Sequence, residues 1–66
     1  MKLILNGEDY VHKGDGRLKQ LLRETGLAGR RVALVVNSRV VPLDAMAEQR
    51  LHDGDRVDIL TLAGGG

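Results

Sequence analysis

The order of elements in these 66 residues predicts an α+β fold, with one main helix packed on a small mixed sheet. Three observations carry that prediction. Asn6-Gly7 separates two short runs of strand character. Only one stretch, Arg17–Thr25, repeats its leucines at helical spacing. Two later runs, Val32–Val36 and Val57–Leu62, are apolar enough to be inner strands.

Lys2–Leu5 is the first strand. Asn-Gly favours positive φ at both central positions of a type I′ turn, which returns the chain along Glu8–His12 with Tyr10 and Val11 on opposite faces. Lys13-Gly14-Asp15-Gly16 is a loop, since two glycines so close suit neither helix nor strand. In the helix, Leu18, Leu21 and Leu22 form one apolar stripe. Asp15 or Gly16 is expected to cap its start. Gly26 is expected to end it in the left-handed conformation, with Leu27 folding back on Leu22.

Ala28–Arg31 leads to Val32–Val36, which is apolar on both faces and therefore interior. Asn37-Ser38-Arg39 turns the chain into Val40-Val41, a short return that Pro42 ends. Asp44–Arg50 is expected to hold a helical turn capped by Asp44, with Met46 pointing inward. Asp53 and Asp55 flank Gly54 as turn formers before the last strand, Val57–Leu62. With the first and last strands as central neighbours, this is the β-grasp (ubiquitin-like) roll over residues 1–62, followed by a flexible glycine tail at 63–66. Leu18, Leu21, Leu22, Val32, Leu34, Val36, Val57 and Ile59 are expected to supply most of the core. One helix covers one face only, so valines and leucines on the other would form a docking surface.

Composition excludes several functions. A chain this short supports one thin core, of a few kcal/mol net. It has no cysteine, which excludes disulfides and thiolate metal sites and suits a reducing, cytoplasmic setting. The apolar run Leu3–Leu5 is too short for a signal segment or a membrane span. A formal charge of +1 gives no general pull toward nucleic acid or anionic lipid. Tyr10 is the only aromatic residue, so bases have no stacking platform. His12 and His52 lack neighbours at ligand spacing and read as surface or turn residues, with no bound metal. Gly14-x-Gly16 lacks the further glycine or lysine of a phosphate loop. No serine, cysteine or lysine stands in a nucleophile–base pattern, so the chain itself is not expected to be an enzyme or to bind a cofactor. Lys19, Arg23, Arg30 and Arg31 form a modest basic edge, read as solvated surface.

Chemistry is concentrated at the carboxyl end. Gly64-Gly65-Gly66 follows closely behind the last strand. Glycine has no Cβ, and three extended residues reach roughly 10 Å, so this end fits a channel too narrow for a folded domain. A terminal carboxylate is a poor electrophile, and acyl chemistry there needs an activating partner.

The pieces Asn6-Gly7-Glu8, Leu18…Leu21-Leu22…Gly26-Leu27, Val32–Asn37, Val40-Val41-Pro42, Leu51…Asp53-Gly54-Asp55…Val57 and Gly65-Gly66 fall in order along the chain. Together they resemble the ThiS family, the sulfur carrier proteins of bacterial thiamine biosynthesis. Arg17 departs from the usual threonine at the helix start, and Met46 lies near where an aromatic residue often follows the proline. The resemblance implies that an E1-like adenylating enzyme consumes ATP to convert the Gly66 carboxylate into an acyl-adenylate, with Gly65 keeping the tail narrow enough for access. Sulfur relayed from a cysteine desulfurase then gives a thiocarboxylate, which thiazole synthase uses for the thiazole ring. Alternative readings share the Gly-Gly end: a carrier for molybdopterin or tRNA thiolation, or a ubiquitin-like modifier joined to lysine through Gly66. A binding module of the TGS kind, as appended to larger enzymes, is a further alternative, disfavoured by the bare glycine ending.

Overall fold

In the computed structural model, described over residues 1–62, five strands form one sheet. They are β1 (Lys2–Leu5), β2 (Glu8–Val11), β3 (Val32–Val36), β4 (Arg39–Val41) and β5 (Arg56–Thr61). Their order across the sheet is β2-β1-β5-β3-β4. The first and last strands are neighbours and run parallel, while every other pairing is antiparallel. One helix, α1 (Leu18–Glu24), covers one face. The expected β-grasp arrangement is present. Among the described residues no helix is long and apolar enough to cross a membrane.

Local chemistry explains the turns. Asn6 and Gly7 have φ of 49° and 83°, as a type I′ hairpin requires. Asn37 and Ser38, at 50° and 70°, make a second turn of the same hand between β3 and β4. Both asparagines also serve the central strand. Asn6 Oδ1 accepts from Ile59 N at 2.8 Å, and Asn37 Oδ1 accepts from Arg56 N at 2.9 Å. The strands β1 and β3 stop short of these amides, and the asparagine side chains continue their ladders.

The helix ends as expected and begins differently. Gly26 has φ of 76°; its N–H bonds Arg23 O at 3.1 Å, and Leu27 N bonds Leu22 O at 2.7 Å. This is the Schellman pattern. At the start, neither Asp15 nor Gly16 is the cap. Arg17 takes that position in extended backbone and makes no side-chain capping bond. The first turn is instead tied to the segment before β5: Leu18 N reaches Gln49 O at 3.4 Å and Leu51 N donates to Gly16 O at 2.6 Å. The helical turn expected over Asp44–Arg50 is shorter and earlier, a 3-10 turn over Leu43–Ala45. Pro42 starts it by accepting Ala45 N at 3.0 Å.

All eight expected core residues are buried, joined by Leu3, Val41, Met46 and Leu51. The correction concerns His12, which is buried and not a surface residue. Its Nε2 accepts the Gly16 N–H at 3.1 Å, which places the ring proton on Nδ1. Nδ1 lies 2.9 Å from Glu24 Oε2, a short contact too poorly aligned to be a full hydrogen bond. Glu24 also accepts from Tyr10 Oη at 2.8 Å and Lys13 N at 3.1 Å. Helix end, β2 and loop are thereby joined through one carboxylate.

Gly14 is needed beside this group. A Cβ there would overlap Gln20 Oε1 and approach His12 Cε1 to 2.7 Å. Gln20 Oε1 accepts Asp15 N at 2.7 Å and cannot swing away without losing that bond. Gly14→Ala is expected to destabilise the domain by about 1–3 kcal/mol, measured by urea titration. An unchanged midpoint would show that the loop has room to spare.

Burial works against the charge on Glu24, but the His12, Tyr10 and Lys13 contacts together outweigh it and hold the carboxyl below its ordinary value. A folded value that is lowered contributes stability at neutral pH, which is lost as pH falls through that value. Glu24→Gln should therefore lower the melting temperature at pH 7 and lose less than the parent on acidification. Parallel melting curves of the two proteins against pH would refute this. The Tyr10 hydroxyl is pushed above its ordinary value, first by its hydrogen bond to Glu24 and then by burial.

Candidate functional site

The expected site residues, Gly65 and Gly66, lie outside the described residues. What the fold defines is the root from which they leave. Strand β5 runs through the centre of the sheet, with β1 on one side and β3 on the other. It buries Val57 and Ile59 against the helix and turns Asp58 and Leu60 to the opposite face. Thr61 is the last residue in register, opposite Val32. Leu62 N then donates to Arg31 O at 2.9 Å. That bond fixes the chain one residue past the strand, leaving positions 63–66 beyond it. A backbone bond of this kind has no signature in residue types, and sequence reasoning missed it.

The face away from the helix is the expected open one. By register, Ala33, Val35, Val40 and Leu60 lie on it, with Ile4 across β5 from them. Val40 is 74% exposed, and Leu60 59%. Asp58 and Arg56 interrupt this apolar surface with charge. Leu62, also exposed, brings the apolar surface up to the tail root.

The two turn aspartates have structural work. Asp53 Oδ1 accepts Lys2 N at 2.7 Å, and Asp55 accepts His52 N at 2.8 Å and Asn37 Nδ2 at 3.0 Å. They close the turn at the start of β5 and form no carboxylate pair for catalysis. His52 is exposed, and among the described residues no cluster of histidine and carboxylate side chains could hold a metal ion. A cavity of about 570 Å³ lies beside β4 and is lined by Asn37, Val41, Pro42, Arg50 and Asp55 among others. Asn37 and Asp55 place one end of it at the start of β5, and Val41, level with Ile59 across β3, places the other near the middle of that strand.

One helix across a mixed sheet, with parallel first and last strands side by side at its centre, defines a β-grasp protein. The ThiS family model matches residues 3–66, and the chain belongs to that family. Its fold resembles the crystal structure of the thiamine biosynthesis protein ThiS from Geobacter metallireducens, with a TM-score of 0.81 and 29% identity over the whole of both chains. Over all 66 residues it is 36% identical to a thiazole synthase of Paramagnetospirillum magneticum, of which it spans only 20% of the length. It is also 31% identical to the uncharacterized protein ycf40 of Porphyra purpurea, across the whole of this chain and 93% of that one.

Proposed function

We propose that the chain is a sulfur carrier for thiamine biosynthesis, with Gly66 as the group that is charged. The observation that carries this reading is the all-glycine ending of a ThiS-family chain, rooted by Leu62 on the central strand. In the proposed cycle a Gly66 carboxylate oxygen attacks the α-phosphorus of ATP on an E1-like adenylating enzyme. Pyrophosphate leaves, and the acyl carbon becomes electrophilic. A hydrosulfide, or a persulfide derived from cysteine by a desulfurase, then attacks that carbon and expels AMP. In the persulfide route a thiol reduces the remaining S–S bond, and a thiocarboxylate is left in either case.

The similarity to a thiazole synthase supports thiazole formation as the destination of the sulfur. The carrier supplies access and carries no catalytic group of its own. Its open face, with Val40 and Leu60, is the surface on which the adenylating enzyme and thiazole synthase would rest. Val40→Asp is expected to weaken binding to the adenylating enzyme about tenfold or more, read by calorimetry, without lowering the melting temperature. Undiminished affinity would move the docking site elsewhere.

The proposal is tested by incubating the protein with adenylating enzyme, ATP, cysteine and a desulfurase, then recording the intact mass. Replacement of one oxygen by sulfur in the peptide that ends at Gly66, followed by loss of that sulfur to thiazole synthase, is the expected result. A stable bond from Gly66 to lysine side chains, with no sulfur gained, would favour the protein-modifier reading.

A further inference from the structure

A groove of about 360 Å³ lies on the helix side of the molecule, between α1, the Ala28–Arg30 connector and the turn at Met46-Ala47. Its floor is formed by Leu22, Val32 and Met46, three core residues that are each slightly exposed. Its rim carries Lys19, Arg23 and Arg30. Lys19 and Arg23 are one helical turn apart and project along the same side of α1. All three cations are exposed, and none belongs to an ion pair among the described residues. No acidic residue lines the groove. A near-neutral chain thus concentrates unpaired positive charge around one apolar depression.

The groove is close to the tail root. Val32, on its floor, is the register partner of Thr61. Arg30, on its rim, precedes the residue whose carbonyl holds Leu62. A protein that receives the tail is therefore within reach of this surface while resting on the opposite, open face or its edge.

We propose that this groove docks an acidic segment of a partner protein, with an aliphatic side chain seated on Leu22, Val32 and Met46 and carboxylates against Lys19, Arg23 and Arg30. Charge complementarity selects an acidic partner, since the rim has three cations and no internal counter-charge. The apolar floor selects a peptide over a nucleic acid, whose phosphate backbone has no aliphatic group to bury. An amphipathic helix meets both demands, because its apolar and acidic positions repeat within one turn. This goes beyond the sulfur-carrier reading and holds whatever chemistry Gly66 undergoes.

The test is an NMR titration of the isotope-labelled full chain with a short helical peptide carrying two leucines one turn apart and flanking glutamates. The control peptide replaces the glutamates with lysines. Amide shifts are expected at Leu22, Arg23, Ala28–Val32 and Met46-Ala47, and not on the Val40 and Leu60 face. The double variant Arg23→Glu, Arg30→Glu should bind about tenfold or more weakly, and added salt should weaken the parent complex. Well-dispersed spectra of that variant show that its fold is intact. Absence of shifts at about 1 mM peptide, equal binding of the lysine control, or shifts confined to the open face would each overturn the proposal.

Discussion

Deletion of Gly66 is expected to abolish pyrophosphate release by the adenylating enzyme while leaving the melting temperature unchanged. The reason lies in the root bond between Leu62 and Arg31, which sets where the tail begins. Removing one residue withdraws the carboxylate by roughly 3.3–3.6 Å, and a misplacement of 1 Å can cost a hundredfold where attack geometry matters. A tag appended after Gly66 removes the reacting carboxylate and should be equally inactive. Gly65→Ala tests a different point, the width of the channel, since alanine keeps the length and adds only a Cβ. Pyrophosphate released at the normal rate by the shortened or tagged protein would end the proposal. Normal activity of Gly65→Ala would retire only the argument about width.

Leu21→Ala should unfold a large fraction of the protein at ordinary temperatures. Leu21 is fully buried beneath the sheet with Leu18, and a leucine-to-alanine change in such a site costs about 2–5 kcal/mol. A domain of this size has only a few kcal/mol to lose. Leu22→Ala should cost less, because Leu22 borders the groove and keeps slight exposure. Circular dichroism melts of the two variants check the order. Equal and parent-like melting would mean that the helix does not present this stripe to the core.

Features set by neighbours in sequence were legible. Asn6-Gly7 and Gly26-Leu27 specify their turns through backbone preferences that act over a few residues. The leucine stripe and the apolar run Val32–Val36 identified the two sides of the core for the same reason. Features set by distant partners were not. His12 follows an alternating strand and reads as polar surface, yet it is buried, with Nε2 accepting the Gly16 N–H and Nδ1 close to the Glu24 carboxylate. The helix start is satisfied by carbonyl and amide groups of residues 49–51 and 16, which residue types at 15–17 do not announce. At the proposed functional end, the glycines were visible as sequence, whereas the bond that holds Leu62 ahead of them joins two backbone groups.

That bond makes the domain a depth gauge. In the proposed carrier, with Leu62 held, positions 63–66 allow the Gly66 carboxylate a reach of at most roughly 13–14 Å from the domain. Any protein that handles the same carboxylate while seated against the carrier must place its reacting group within that one radius. Unrelated partners would then share a spacing between contact surface and chemistry even where they share no fold, and inserting a single glycine before Gly66 would relax the requirement for all of them together.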